Sequence, residues 1–83
     1  MKTVILTVDN TRFMDSFESS YITVTSPTGG SIRIYKAGVS HCTDKAQVKL
    51  FKKLLGDPMN PQKGIKVKVT VEEMRELLKL SQL

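Results

Sequence analysis

The chain has 83 residues and a mass of 9.3 kDa, which excludes a second domain because typical domains contain about 100 to 200 residues. With 40% hydrophobic residues, 25% charged residues and three prolines, the composition is that of a globular chain and excludes a disordered one. The formal net charge of +5 favours anionic partners, such as nucleic acid, an acidic protein surface or lipid headgroups, without choosing among them.

The cysteine content and the amino-terminal segment bear on location. The single cysteine, Cys42, provides no internal disulfide framework and no sign of an oxidising compartment. The first apolar stretch is broken by Thr7 and ended by Asp9, which makes it too short for a signal peptide or a membrane span. We therefore expect one compact domain over residues 1–83, located in the cytoplasm and without membrane contact.

The first half of the chain carries the pattern of three strands. Residues 3–9 alternate between aliphatic and polar side chains, which predicts a half-buried strand. The segment 10–18 then places two phenylalanines one helical turn apart, which is compatible with a short helix or an ordered loop. Alternation resumes over 21–25 and 31–35 around a turn that contains Pro27 and two glycines, and this predicts a β-hairpin.

The second half predicts two helices and a strand. Residues 36–42 have the composition of a loop, and a helix follows from about Asp44 to Leu55, with Thr43 or Asp44 as its cap and Gly56 as its stop. On a helical wheel the apolar residues gather on one side, and the lysines gather on the other. The apolar residues are Val48, Leu50, Phe51, Leu54 and Leu55, and the lysines are Lys45, Lys49, Lys52 and Lys53.

The last two elements follow a loop over residues 57–64. Residues 65–69 alternate strictly, with lysines outward, and predict a strand. Thr70 and Glu73 have the spacing of a capping box at the start of a final helix. Its predicted inner face consists of Val71, Met74, Leu77, Leu78 and Ser81. Leu80 and Leu83 fall outside this apolar stripe, which makes them candidates for contact with a partner or a second copy of the chain.

The order of these elements predicts an α+β fold. We expect a small four-stranded, mainly antiparallel sheet with two principal helices packed on one face, and a third, short helix if residues 10–18 are helical. The sequence leaves the strand order and the oligomeric state open, and a homodimer is one possibility.

The polar side of the predicted sheet is the first candidate binding surface. Two tyrosines among cations can stack on exposed bases while Lys and Arg contact phosphates. The candidate residues are Tyr21, Arg33, Tyr35, Lys66 and Lys68. The layout is reminiscent of RNA-recognition sheets, although their aromatic-rich signature segment is missing. The alternative interpretation is that Tyr and Thr are good strand formers and that Lys keeps an exposed sheet in solution.

The lysine side of the middle helix, Lys45, Lys49, Lys52 and Lys53, is a second candidate, either for phosphates or as a solvated face. The most specific hypothesis is a non-enzymatic module that binds single-stranded RNA or DNA through the Tyr, Lys and Arg face. The alternative is a small protein-binding regulator or inhibitor, of the kind found among phage and mobile-element accessory proteins, that acts on an acidic surface of a host protein.

The sequence provides little support for catalysis. His41 and Cys42 are neighbours in the chain, but a nucleophile needs a contacting, oriented base, and a structural zinc site needs four ligands. The pair Gly29 and Gly30 matches neither a P-loop nor a dinucleotide-binding pattern and fits a tight turn. We therefore expect no enzymatic activity, no cofactor and no metal.

Overall fold

A computed structural model describes residues 2–14, 16–57 and 59–82, and it contains a four-stranded antiparallel sheet with helices packed against it. The α+β fold class is therefore confirmed. The strands are β1 (Thr3–Asp9), β2 (Tyr21–Thr25), β3 (Ser31–Tyr35) and β4 (Ile65–Thr70). The helices are α1 (Lys36–Ser40), α2 (Lys45–Leu55) and α3 (Val71–Ser81).

The strands lie in the order β3-β2-β1-β4, and every neighbouring pair is antiparallel. The first strand of the chain is thus central, between β2 and the last strand. It pairs with β4 from Thr3 opposite Thr70 to Val8 opposite Ile65. This register aligns the aliphatic residues of all four strands, except Ile5, on one face of the sheet, because side chains alternate between faces along each strand.

The core lies between that aliphatic face and the helices α2 and α3. Phe13, from the segment after β1, packs against Phe51 of α2 with ring centroids 5.8 Å apart. The buried hydrophobic residues are Leu6, Val8, Phe13, Ile22, Val24, Ile34, Leu50, Phe51, Leu54, Val67, Val69, Leu77 and Leu80. Burial of this set provides the main driving force for folding.

Local signals in the sequence set the ends of several elements. The hairpin turn is closed by a hydrogen bond from the Ser26 N–H to the Gly30 carbonyl at 2.8 Å, and Gly29 has a φ of +99° that suits glycine. Asp44 caps α2 by accepting a hydrogen bond from the Ala46 N–H at 2.9 Å. Thr70 and Glu73 form the predicted capping box of α3.

Two local predictions differ from the structure. Residues 36–42 were expected to form a loop but contain the short helix α1. Its first N–H groups bond to the segment before β2: the Lys36 N–H donates to the Ser20 carbonyl at 2.8 Å, and the Ala37 N–H donates to the Glu18 carbonyl at 3.1 Å. The described residues of the segment 10–18 form turns, which is the loop alternative. The backbone contacts that fix α1 come from a distant part of the chain, and no local pattern encodes them.

Helix α3 is rotated relative to the expected orientation. Leu80 is only 2% exposed and belongs to the core, so the prediction that it lies outside the buried stripe is wrong. Leu78, predicted to face inward, is 54% exposed. The reason is that α3 packs against α2 as well as against the sheet, and Glu73 of α3 forms an ion pair with Lys53 of α2 at 3.3 Å. Leu83, the other candidate interface residue, lies outside the described residues.

One buried polar residue joins three parts of the fold. The Asn10 side chain donates to the Leu55 carbonyl at the end of α2, at 2.8 Å, and accepts from the Gln62 N–H before β4, also at 2.8 Å. It thereby fixes the end of β1 to the end of α2 and to the following loop. Among the described helices, none is long and apolar enough to cross a membrane.

Candidate nucleic-acid interface

The sheet face opposite the helices is polar and open to solvent. It carries the side chains that alternate with the core residues, and most of them are exposed or half-buried. These residues are Thr3, Ile5, Thr7, Asp9, Tyr21, Thr23, Thr25, Ser31, Arg33, Tyr35, Lys66, Lys68 and Thr70. A ligand can therefore reach this face without any movement of the described helices.

Tyr21, Arg33 and Tyr35 form one cluster on this face, called here the tyrosine corner. Tyr21 on β2 lies directly opposite Tyr35 on β3, and their ring centroids are 5.3 Å apart with the planes inclined at 50°. Arg33 lies two residues before Tyr35 on the same face, and its guanidinium carbon is 4.8 Å from the centre of the Tyr21 ring. Direct cross-strand pairing thus places an aromatic pair and a cation together at the β2–β3 edge.

The Arg33 guanidinium lies over the Tyr21 ring and leaves the Tyr35 ring accessible to solvent. Tyr35 is 41% exposed, whereas Tyr21 is half-buried beneath Arg33. Hydrogen bonding to Tyr35, together with the electrostatic effects of Tyr21 and Tyr35, raises the pKa of Arg33 above its ordinary value. The corner therefore presents one accessible ring next to a permanent positive charge.

A carboxylate lies in the same cross-strand row as Arg33, with Thr23 between them. This residue, Asp9, accepts hydrogen bonds from the Thr11 hydroxyl at 2.6 Å and from the Thr11 N–H at 2.9 Å. Those two bonds, followed by the positive charges of Lys63 and Arg12, lower the pKa of Asp9 below its ordinary value. The Asp9 carboxylate is thus ionised at neutral pH, with two cations close to it.

Those two cations, Arg12 and Lys63, were not among the residues predicted from the sequence. The Arg12 carbonyl accepts a hydrogen bond from the Tyr21 N–H at 3.4 Å, which places Arg12 beside the tyrosine corner. Lys63 precedes β4, and its positive charge lowers the pKa of Asp9. Both residues lie in segments without alternation, so only the tertiary fold reveals that they adjoin this end of the sheet.

The two predicted lysines of β4 lie on the same face but at the opposite edge. Counting strand spacings and residue rises, Arg33 and Lys66 are about 16 Å apart and Tyr35 and Lys68 about 25 Å apart. The Lys66 ammonium donates to the Thr7 hydroxyl at 2.7 Å, and Lys68 lies opposite Ile5. The structure thus brings three of the five predicted residues together and separates the other two from them.

The other candidate, the lysine side of α2, lies on the opposite side of the molecule. Lys53 is engaged by Glu73 of α3, whereas Lys45, Lys49 and Lys52 are exposed and have no ion-pair partner among the described residues. A single short ligand cannot contact these lysines and the tyrosine corner together, because the sheet separates them.

The structure places His41 and Cys42 at the carboxyl end of α1. His41 is the exposed C-cap of α1, and the Cys42 thiol donates to the Gln47 side-chain oxygen at 3.1 Å. Within the described ranges, no group of three or more His, Cys, Asp or Glu residues could hold a metal ion.

Comparisons with protein-family models, curated proteins and solved structures found no match. The chemistry of the surface itself is therefore the basis for a functional proposal.

Proposed function

We propose that this protein binds single-stranded nucleic acid at the tyrosine corner. The observation that carries the proposal is the exposed Tyr35 ring, paired with Tyr21 and flanked by Arg33 on an open sheet face. Stacking on an aromatic ring stabilises a bound base by about 1 to 3 kcal/mol and tolerates any base, since every base has a flat face.

The arrangement favours an unpaired base over a duplex. A base inside a duplex is already stacked on its neighbours and offers only its edges in the grooves. The tyrosine corner is part of a broad sheet surface, and its accessible ring offers a face for stacking. Single strands, whose bases can turn outward, fit this geometry better than a double helix.

Positive charges near the corner support contacts with the phosphates. Arg33 adjoins the rings, Arg12 follows β1 next to Tyr21, and Lys63 precedes β4. The charges of Arg12 and Lys63 both act on Asp9. A strand with one base on Tyr35 would cross β2 and β1 towards these cations, and Arg12 and Lys63 would offset the repulsion between its phosphates and the Asp9 carboxylate. Three phosphate contacts of this kind predict a slope of about −2 for log K against log salt.

The test is fluorescence anisotropy with labelled single-stranded RNA, single-stranded DNA and duplex DNA at about 50 and 200 mM salt. We expect preferential binding of the single strands. Tyr35→Ala should weaken that binding by about 1 to 3 kcal/mol, roughly 5- to 150-fold, because it removes the stacking surface. Tyr35→Phe keeps the ring and should retain most of the affinity.

The matched control is Lys49→Ala, which removes an exposed cation from the opposite side of the molecule. It should leave single-strand affinity unchanged. Equal binding of all three nucleic acids that depends on salt but not on Tyr35 would reduce the interaction to general charge attraction and contradict the proposal. No binding at the lower salt concentration would also contradict it.

A further inference from the structure

A groove lies where α1 and α2 meet, away from the open sheet face. It has a volume of about 420 Å³ and passes over Phe13 and Phe51. A second groove, of about 330 Å³, runs along the outer side of α2. The two grooves share Cys42, Val48 and Lys52, so they form one continuous depression, called here the basic groove.

The floor of the basic groove is apolar. Val39 of α1 and Leu55 of α2 line it and are only partly buried against the core, and Val48 is half-buried between the two grooves. Apolar surface of this kind remains in contact with water until another apolar group covers it. The floor thus favours an occupant that brings aliphatic or aromatic side chains.

The rim of the basic groove is positively charged. Lys45, Lys49 and Lys52 follow one another at helical spacing along α2, and Lys36 lines the α1 side. No carboxylate is among the described residues that line either groove. Because no described acidic residue pairs with the three lysines of α2, their charge is available to an anionic partner.

Asp44 and Glu18 adjoin the rim next to Lys45 and Ser40, and both are engaged in local hydrogen bonds. Asp44 accepts from the N–H groups of Ala46 and Gln47 as the cap of α2. Glu18 accepts from the Ser40 hydroxyl at 3.2 Å. These bonds hold the two carboxylates in place without closing the groove. On its other side, Lys49 also lines a depression with Glu72, Glu73 and Glu76 of α3, outside the basic groove.

We propose that the basic groove binds an acidic peptide segment whose apolar side chains enter between α1 and α2. The lysines of the rim favour acidic residues in the peptide, and the apolar floor favours aliphatic or aromatic side chains that anchor it. A nucleic acid fits less well, because Phe13 and Phe51 are only 7% and 5% exposed and offer no ring face for base stacking. This site is distinct from the tyrosine corner and does not depend on it.

The test begins with a displayed library of random 12-residue peptides, selected on the wild-type protein and counter-selected on the double variant Lys49→Glu, Lys52→Glu. Both lysines are exposed, so the charge reversal should leave the fold intact. We expect the enriched peptides to combine Asp or Glu with aliphatic or aromatic residues. Their affinity should fall roughly tenfold or more in the double variant.

The only cysteine of the chain provides an independent readout, because Cys42 lies at the junction of the two grooves and is partly accessible. A bound peptide should slow the modification of Cys42 by N-ethylmaleimide. Val48→Asn should weaken peptide binding by placing a polar group in the floor. The matched charge control, Lys66→Glu with Lys68→Glu on the open sheet face, should change neither result.

Three outcomes would overturn this proposal. The first is that the selection fails to enrich acidic peptides with apolar residues. The second is that the enriched peptides bind the double variant as well as the wild type, and the third is that they leave the reaction rate of Cys42 unchanged. Protection of Cys42 by a single-stranded oligonucleotide, lost in the double variant, would assign the groove to nucleic acid instead. Tyr35→Ala should not alter peptide binding, so failure here and failure of the nucleic-acid proposal are separable.

Discussion

Asn10 shows how a single polar residue can organise the core of a small protein. It is completely buried, yet its side-chain amide and carbonyl both have partners, in the Leu55 carbonyl and the Gln62 N–H. A buried polar group is costly only when it lacks hydrogen bonds. Asn10 avoids that cost because both of its side-chain groups are hydrogen-bonded, and it joins β1, α2 and the loop before β4.

We predict that Asn10→Ala strongly destabilises the fold. The substitution leaves two backbone groups without partners, and each such group costs about 1 to 3 kcal/mol if it stays buried. The free energy of unfolding should therefore fall by about 2 to 4 kcal/mol in urea denaturation. The matched control is Asn60→Ala at an exposed site. If the two variants are equally stable, the Asn10 hydrogen bonds do not hold these elements together.

At the scale of single residues, the sequence pattern predicted which face of the sheet a side chain lies on. It did not predict which residues from other segments lie beside that side chain. Alternation along β2 and β3 was sufficient to place Tyr21, Arg33 and Tyr35 on one face. Nothing in the local pattern indicates that Arg12 follows β1 to a position beside Tyr21, because that contact depends on a turn without periodicity. The buried Asn10 was missed for the same reason, since its partners are 45 and 52 residues away.

Among the elements, α3 shows most clearly the difference between periodicity and packing. The wheel of α3 identified an amphipathic helix, but it could not determine which arc would face inward. Contact with α2 rotates the buried arc towards Leu77 and Leu80 and leaves Leu78 exposed. Apart from α1, which was expected to be a loop, the other helix and the strands could be predicted because their caps, stops and alternation are local signals.

This rotation gives a direct test of α3 packing. Leu80→Ala should lower the free energy of unfolding by about 2 to 5 kcal/mol, because it opens a cavity in the core. Leu78→Ala removes the same atoms from an exposed position of the same helix and should change stability by less than about 1 kcal/mol. Thermal and urea unfolding of both variants would measure the contrast. The reverse order of stability would mean that α3 faces the core with its other side.

The capping box of α3 makes stability depend on pH. Glu73 accepts a hydrogen bond from the Thr70 N–H at 2.9 Å and interacts with Lys53, and these contacts lower its pKa below the ordinary value of 4.5 despite partial burial. The unfolded chain thus binds a proton more readily than the folded chain. The stabilisation is complete above pH 4.5 and is lost as the pH falls through the pKa of the folded state.

Glu73→Gln should therefore flatten the acid side of the stability profile. The glutamine can still accept the Thr70 hydrogen bond, but it does not titrate. Urea unfolding between about pH 6 and pH 3 should show a smaller loss of stability in this variant than in the wild type. Glu72→Gln, an exposed substitution in the same helical turn, is the control. Parallel profiles for Glu73→Gln and the wild type would contradict the prediction.

At the scale of the whole molecule, strand order decides which predicted residues can act together. Because β3 and β4 lie at opposite edges of the sheet, the tyrosine corner and the lysines of β4 are on the same face but too far apart to form one binding site. Strand order depends on pairing between distant segments, so the sequence could not provide it. A strand bound at Tyr35 reaches Lys66 and Lys68 only if it continues past Arg12 and Lys63.

We therefore predict that the effect of the β4 lysines depends on ligand length. For a 12-nucleotide strand, which spans about 40 Å at 3.4 Å per nucleotide, Lys66→Ala with Lys68→Ala should reduce the salt slope by about 1.4. For a dinucleotide, followed by NMR shifts at Tyr21 and Tyr35, the same double substitution should have no effect. Equal losses for the two ligands would show that the lysines do not act as a distant extension of the corner.

The pairing of β1 with β4 also has a consequence for the order in which the protein folds. The first strand forms its longest ladder with a strand that begins at Ile65, so most of the chain must be synthesised before β1 is enclosed on both sides. Until then, one edge of β1 offers unpaired backbone groups and aliphatic side chains to other chains. Pairing between two strands so far apart in the sequence slows folding, because the conformational entropy of the intervening chain is lost before the contacts form. The nascent protein therefore exposes this edge of β1 to wrong strand pairing until β4 has emerged.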